Sequence, residues 1–247
     1  MKKILLGTVA LAALSVSLPA FAADLPARAP AYTKAPAMMA PAYDWSGFYI
    51  GANGGGGWSH DCYTGSATLA PEGCHDASGG VIGGQIGYRW QMASLVFGVE
   101  AQGDWADLKG SNVSLVNAAI TNQTKTDALG FFTGQIGYSF SNMLWYVKGG
   151  AAVADNTYTG LVNTTGLAQD QATQTRWGGV IGTGIEYGFA PNWSVALEYN
   201  HAFLGTDTIN LTTPAGVLSR TDNISQGVDI VTARINYRFG GPVLAKY

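Results

Sequence analysis

Large apolar residues alternate with small or polar residues along most of the chain, and one such segment recurs four times. GGQIGYRW at 83–90 returns as TGQIGYSF at 133–140, as GTGIEYGF at 182–189 and, more loosely, as ARINYRF at 233–239. The corresponding isoleucines lie 50, 49 and 50 residues apart. A fixed period of this size indicates one supersecondary unit used four times. The period of two within each copy predicts a β-strand.

Each copy has a partner segment with the same alternation, which brings the predicted number of strands to eight. Partner strands begin near Leu95, Trp145 and Val195, and residues 46–58 supply the first strand. Three turns of three or four residues alternate with longer polar stretches of roughly twenty residues. These stretches lie around 59–78, 107–127, 155–175 and 205–226. Short turns at one end and long loops at the other are typical of outer-membrane barrels.

The pattern therefore predicts an all-β fold, an eight-stranded antiparallel up-and-down transmembrane β-barrel with long loops outside. Aromatic residues support a membrane position because they collect at the strand ends beside the short turns, where an amphipathic ring at the membrane interface is favoured. An open sandwich would also alternate, but it needs no such ring. The residues of the ring are Phe48, Trp90, Phe140, Trp145, Phe189, Trp193 and Phe239.

The two ends of the chain differ in composition from the repeated part. Two lysines precede an apolar run and a small-residue site, so residues 1–22 are predicted to be a secretory signal peptide. Residues 23–45 contain four prolines among alanines and are predicted to form an extended periplasmic linker without a core. The barrel is assigned to 46–239 and a C-terminal tail to 240–247.

Charge and composition narrow the function classes. Hydrophobic residues make up 47% of the chain and charged residues 12%, with 34 glycines, which favours strands that face lipid. Removal of the signal peptide takes the formal net charge from −3 to −5. Such mild acidity argues against a nucleic-acid partner, which would require a basic stripe.

The opposite phase of the alternation predicts a lumen that contains four acids and four bases. Eight strands leave a bore that side chains can fill, and charges there must be paired. We expect a closed, salt-bridged plug, with Glu100 beside Lys148 and Glu198 beside Arg234. The alternative is a charged constriction in a narrow porin for small solutes. The eight charged residues are Arg89, Glu100, Asp104, Lys148, Glu186, Glu198, Arg234 and Arg238.

Candidate chemistry outside the lumen is sparse. Cys62 and Cys74 are the only cysteines, and in an exported chain they are expected to form a disulfide within the first long loop. His60 and His75 flank them as though for metal or haem, but oxidised sulfurs do not ligate zinc, so no metal site is assigned. His201 has no serine close in sequence to complete a hydrolytic set. No enzymatic activity is expected.

The motifs together carry a resemblance to a known family. The linker AADLPARAPAYTKAP, the first strand DWSGFYIGANGGGGW, the second strand GGQIGYRWQ and the closing NYRFGG resemble small outer-membrane surface proteins of alphaproteobacteria. This family includes immunogenic porin-like proteins and haemin-binding proteins. The resemblance implies an OmpA-type barrel in the outer membrane of a Gram-negative bacterium, exposed at the surface as an antigen and without an enzymatic role.

The resemblance also sets expectations about partners. These are outer-membrane lipid and lipopolysaccharide, the outer-membrane insertion machinery, and host or envelope ligands at the long loops. Haemin is the one cofactor that the family suggests, with His60 and His75 as the residues that would bind it. Insertion signals of such barrels end on an aromatic residue of the last strand, and both Phe239 and Tyr247 fit that role.

Overall fold

A computed structural model describes residues 43–240, and every regular element in this range is a β-strand. The strands are β1 (Gly47–Gly65), β2 (Pro71–Met92), β3 (Leu95–Val113), β4 (Ile120–Phe140), β5 (Met143–Val162), β6 (Ala168–Ala190), β7 (Trp193–Thr212) and β8 (Leu218–Phe239). Within 43–240 there is no helix of the length and apolarity needed to cross a membrane. The predicted signal peptide, most of the predicted linker and the tail after residue 240 lie outside the described residues.

The eight strands close into one barrel in the order of the sequence. Each strand is antiparallel to its neighbours, and β1 closes the ring by pairing with β8 from Phe48↔Phe239 to Gly65↔Asp222. Tight turns at 93–94, 141–142 and 191–192 join the strands at one end. The predicted fold class is therefore confirmed.

The predicted long loops are wrong. Strands β1 to β8 contain 19 to 23 residues each, and they continue through the stretches that the sequence suggested were loops. The connections that remain at this end are short, at 66–70, 114–119, 163–167 and 213–217. Thr, Asn, Gln and Asp fill these stretches because the wall there faces water, and such a composition hides strand periodicity. The barrel thus projects beyond the membrane, and this projecting part is called the extension.

Two rings of aromatic residues mark the membrane-facing part of the wall. All seven residues of the predicted ring lie on the outer surface, with exposed fractions of 40% to 52%. A second ring consists of Trp58, Trp105 and Trp177, which are also exposed. Phe48 and Trp58 lie ten residues apart on β1, and a tilted strand of about this length crosses a bilayer. The end beyond the tryptophans is the extracellular extension.

Apolar side chains point outward in the membrane-facing wall and inward in the extension. On β7, Phe203 points outward, whereas Ile209 and Leu211 are fully buried in the interior. Both sets occupy odd positions, so the strand must change face between them. A β-bulge between Phe203 and Gly205 supplies that change, and Gly205 has the positive φ of 69° that favours glycine.

Apolar layers alternate with polar ones along the barrel interior. One cluster contains Leu108, Phe131 and Ile230, and a second, in the extension, contains Tyr63, Tyr158, Ile209, Leu211 and Ile224. The lumen is therefore packed with apolar side chains as well as charges, which the sequence analysis did not anticipate.

A third cluster corrects the predicted linker boundary. Tyr43 and Trp45, assigned to the linker, are buried beside Val96, Leu144 and Tyr146 at the end with the short turns. The two large rings bury apolar surface inside the periplasmic mouth, so residues 43–46 are part of the folded unit.

Candidate functional site

A square of four charged side chains crosses the lumen between the apolar cluster that contains Trp45 and the one that contains Leu108 and Phe131. Lys148 of β5 and Arg234 of β8 each contact both Glu100 of β3 and Glu198 of β7. Lys148 Nζ lies 3.0 Å from Glu100 Oε1 and 2.6 Å from Glu198 Oε1. Arg234 Nη2 lies 2.5 Å from Glu100 Oε2, and Nη1 donates to Glu198. At most 1% of each side chain is exposed, so the four charges neutralise one another away from water.

The expected charge pairing in the lumen is therefore present, in a more connected form than two separate pairs. Two tyrosine hydroxyls complete the square: Tyr49 donates to Glu100 at 2.6 Å and Tyr146 to Glu198 at 2.6 Å. Sequence reasoning overlooked Tyr49 because it lies between Phe48 and Ile50, where three large residues in a row hide the alternation. With both tyrosines, every carboxylate oxygen of the square accepts a charged or hydroxyl donor.

A second ion pair lies closer to the periplasmic mouth. Arg89 Nη2 is 2.8 Å from Glu186 Oε2, and the guanidinium lies 4.5 Å from the ring centre of Tyr49. Glu186 also accepts hydrogen bonds from Ser194 and Asn236. Burial of these groups requires such partners, and the tyrosine face adds a cation–π contact.

Two predicted members of the network behave differently. Asp104 is buried, but its Oδ2 accepts from the amide of Gln102 at 2.8 Å, and within 43–240 it forms no ion pair with a lysine or arginine. Arg238 contacts no acid of the lumen. It instead donates to the backbone oxygens of Ser46 and Pro191, each at 3.0 Å. Equal numbers of acids and bases suggested that every charge in the lumen is paired there. Arg238 instead binds the segment before β1, so the prediction was wrong for this residue.

That segment lies across the periplasmic mouth. Trp45 donates its backbone N–H to the side chain of Gln91 at 2.8 Å, and Arg238 lies 5.5 Å from the ring centre of Tyr43. Arg238 also lies 3.6 Å from Asp44. The rings of Tyr43 and Trp45 are 4.4 Å apart. Together they form an aromatic plug below the charged layers.

The extension contains two more buried polar layers that sequence reasoning missed, because it assigned this region to loops. Arg176 donates to Tyr158 and to the backbone oxygens of Leu204, Gly205 and Ile224. Higher up, Arg220 contacts three acids: Glu72 at 2.8 Å, Asp170 at 3.2 Å and Asp222 at 3.2 Å. The clean alternation in TINLT, residues 208–212, is the signal that would have revealed a strand here.

The excess of carboxylates around Arg220 contributes to a raised pKa of one of them, Asp222. Burial raises the pKa of Asp222 to about 6, and although Arg220 opposes this shift, the charges of Glu72 and Asp170 add to it. One arginine therefore does not fully compensate three neighbouring carboxylates in a desolvated site.

The cysteines and histidines lie together on the β1–β2 hairpin but on two faces of the wall. Cys62 and Cys74 are directly paired across the hairpin and joined by a disulfide. His60 is exposed on the outside, with Nδ1 2.6 Å from Asp76. His75 is buried inside, between Asn112 and Thr124, and burial lowers its pKa. One haem iron between both histidines is not favoured by this arrangement.

Haemin binding by His60 and His75 stays a prediction. A spectral titration of haemin against wild type, His60→Ala and His75→Ala tests it. Equal spectra for all three proteins would contradict a role for either histidine.

His201 lies on the outer wall near the upper tryptophan ring. Its Nδ1 is 2.6 Å from Asp229, and Tyr199 donates its hydroxyl to the same carboxylate at 2.5 Å. Because that hydroxyl bonds to the acid, the imidazole does not activate it as a nucleophile. The three residues form a hydrogen-bonded cluster at the membrane surface.

A closed eight-stranded barrel with aromatic rings outside and a filled lumen defines an integral outer-membrane protein. The family model described as outer membrane protein beta-barrel domain matches residues 8–239, and the chain belongs to this family. The predicted outer-membrane location and the resemblance to small immunogenic surface proteins are confirmed.

Two relatives illustrate the family. The 31 kDa outer-membrane immunogenic protein of Brucella melitensis is 30% identical over 234 residues, which cover 83% of this chain and 88% of the relative. The 25 kDa outer-membrane immunogenic protein of Brucella abortus is 26% identical over 231 residues, which cover 94% and 96%. Among solved structures, outer membrane protein AlkL in lipid bilayers matches with a TM-score of 0.46 at 12% identity, over 85% of this chain and 98% of that chain.

Proposed function

We propose that this protein is a non-conducting, non-enzymatic barrel that acts as a structural element of the outer membrane and offers its extracellular extension for contact with other molecules. The observation that carries the proposal is the square of Glu100, Lys148, Glu198 and Arg234. Its members come from β3, β5, β7 and β8, so the contacts reach across the lumen. A solute would have to break several buried charge contacts to pass, which is unfavourable.

Closure does not depend on the square alone. The aromatic plug of Tyr43 and Trp45 lies below it, and the apolar cluster with Leu108 and Phe131 lies above it. Apolar side chains leave no polar path for ions or sugars. This stacking favours a closed barrel over the narrow porin that the sequence analysis kept as an alternative.

Liposome swelling tests the proposal against the porin alternative. Vesicles that contain the refolded mature protein are transferred to an isotonic solution of a small neutral sugar, with protein-free vesicles as the control. We expect both preparations to swell at the same rate. Faster swelling that scales with the amount of protein would support a porin and contradict closure.

The proposal also assigns two kinds of partner to two parts of the outer surface. Outer-leaflet lipid and lipopolysaccharide would contact the wall near Trp105, where Lys109 and Lys125 are exposed beside Asp107. Ligands from host or envelope would contact the extension, because it is the part of the wall that projects into water.

A further inference from the structure

The barrel wall opens between β6 and β7 above the membrane. Pairing runs from Ala190↔Trp193 to Gly179↔Phe203, stops, and resumes with Gln171↔Thr212. Between these points, described residues 172–178 of β6 and 204–211 of β7 have no ladder partner across the seam. We call this opening the β6–β7 slit. A cavity of 680 Å³ lies at the upper end of the slit, lined on β6 by Gln171, Thr173 and Gln174 and on β7 by Thr208 and Asn210, among others.

Side chains, in place of backbone pairs, bridge the slit. Gln174 donates to Asp207 at 2.9 Å, and Arg176 reaches from inside to the carbonyl oxygens of Leu204 at 3.2 Å and Gly205 at 2.9 Å. Arg176 therefore provides donors where strand pairing is lost. The contacts hold the two edges near each other without joining their backbones.

Both edges are held in place by the rest of the barrel. β6 stays paired with β5 through this region, including Thr173↔Thr157, and β7 stays paired with β8, including Thr208↔Asn223. Ile209 is fully buried in the apolar cluster of the extension. An edge fixed in strand geometry with free N–H and C=O groups is a template for another strand.

The direction of the free backbone groups on β6 follows from the closed end of the slit. Thr212 Oγ1 donates to the backbone oxygen of Gln171 at 3.4 Å, so the peptide groups of Gln171 point towards β7. Peptide groups along a strand point alternately to its two neighbours. The N–H and C=O of Thr173 and Thr175 therefore also point into the slit.

The charge around the slit selects the partner. Asp155 and Asp207 lie at or beside it, and Asp155 accepts a hydrogen bond from Thr175, whereas the buried Asp170 is paired with Arg220. The nearby cations, Arg176 and Arg220, are engaged in buried contacts. A second copy of the chain would bring a like-charged rim, which is repulsive, whereas a basic partner is complementary.

We propose that the β6–β7 slit binds an extended, positively charged peptide segment, which adds to the edge of β6 as a further strand. Gly178 lies against the backbone of Phe203, so the free edge is 172–177 and matches a peptide of about six residues, since each strand residue extends about 3.3 Å. This inference rests on the proposed contact role of the extension. It is independent of lumen closure.

A binding experiment with a synthetic peptide tests the inference. The probe is an end-capped, fluorescent eight-residue peptide of alternating lysine and valine, titrated against the refolded mature protein in a neutral detergent. One control is the same peptide with N-methyl groups on alternate residues, which removes backbone donors and keeps the charge. A second control replaces lysine by glutamate. Thr173→Pro removes an N–H from the edge, and Thr173→Ala is its matched control.

We expect saturable binding of the lysine peptide to wild type and Thr173→Ala, and no binding of the glutamate peptide. N-methylation should weaken binding by about tenfold or more, because several hydrogen bonds are lost, and Thr173→Pro by up to about tenfold, because one is lost. The N-methyl comparison uses wild-type protein and therefore does not depend on whether the proline variant folds. Equal binding of both lysine peptides, no saturable binding, or a dimer that occupies the slit would overturn the inference. None of these outcomes bears on lumen closure.

Discussion

At the scale of single residues, Lys148 is the side chain whose loss should disturb the lumen most. Its ammonium group contacts Glu100 and Glu198, and all three side chains are buried. Lys148→Ala would leave two carboxylates to share Arg234, so we expect the free energy of unfolding to fall by about 3 to 5 kcal/mol. Urea unfolding in phospholipid vesicles measures this loss.

The matched control is Lys109→Ala. Lys109 lies on the outside of β3, 2.8 Å from Asp107, and about half of its side chain is exposed. An exposed pair contributes little, so we expect a change of less than about 1 kcal/mol. Equal losses for the two variants would contradict the view that the square is a desolvated network.

Coupling between members of the square is a separate prediction. In a double-mutant cycle of Glu100→Gln and Lys148→Gln, the combined loss should differ from the sum of the single losses by about 0.5 to 3 kcal/mol. The reason is that each substitution alone leaves a buried charge without one of its partners. Additive losses would exclude direct coupling of this pair.

Asp222 gives a prediction about pH. Its folded pKa of about 6 lies above the ordinary value of 3.8, so the folded state binds the proton more tightly than the unfolded state. Stability therefore falls as the pH rises from about 4 through 6. The Asp222→Asn side chain does not titrate, so this variant lacks the loss. Its unfolding midpoint, measured relative to that of wild type, should therefore rise as the pH increases over this interval. A difference between the two proteins that is independent of pH would contradict the shift.

At the scale of elements, the membrane-facing strands were predictable and their extensions were not. Apolar residues such as Ile82, Ile86 and Trp90 on β2 face lipid, so the alternation is visible in the sequence. Above the tryptophans, water contacts the outer face and the apolar side chains turn inward, as Ile209 does after the bulge at Gly205. The reversal interrupts the pattern at the point where the strand continues.

The same reasoning explains which site residues were found. Glu100, Lys148, Glu198 and Arg234 stand out as charges among lipid-facing apolar residues, and a barrel brings their inward positions together. Arg176 and Arg220 lie among other polar residues, so their layers could not be distinguished from loops. The slit between β6 and β7 depends on pairing between strands, which no single-strand pattern reveals.

The segment before β1 provides a prediction at this scale. Trp45 is 2% exposed and lies in one apolar cluster with Tyr43, Leu144 and Tyr146. Trp45→Ala removes a buried ring, and we expect a loss of about 3 to 5 kcal/mol in the free energy of unfolding. Trp45→Phe keeps an aromatic ring and should lose much less. If both substitutions had no effect in urea unfolding, residues 43–46 would not be part of the folded barrel.

At the scale of the whole molecule, the barrel wall is closed in its membrane-facing part and surrounds a stack of packed layers. The layers run from the aromatic plug through the ion pairs to the apolar clusters and the acids around Arg220. Each layer draws on several strands, so the layers also connect the wall across its interior. This construction suits a structural barrel with a projecting extension better than a conduit.

Single-channel conductance of the refolded mature protein in a planar bilayer tests lumen closure most directly. Wild type is compared with Glu100→Ala, which removes one corner of the square, and with Asp127→Ala, which changes an acid outside the lumen. We expect no channel events from wild type or Asp127→Ala, and none from Glu100→Ala either, because the aromatic plug and the apolar cluster with Leu108 and Phe131 still close the lumen on both sides of the square. Steady conductance by the wild-type protein would contradict a closed lumen and would identify a narrow porin instead.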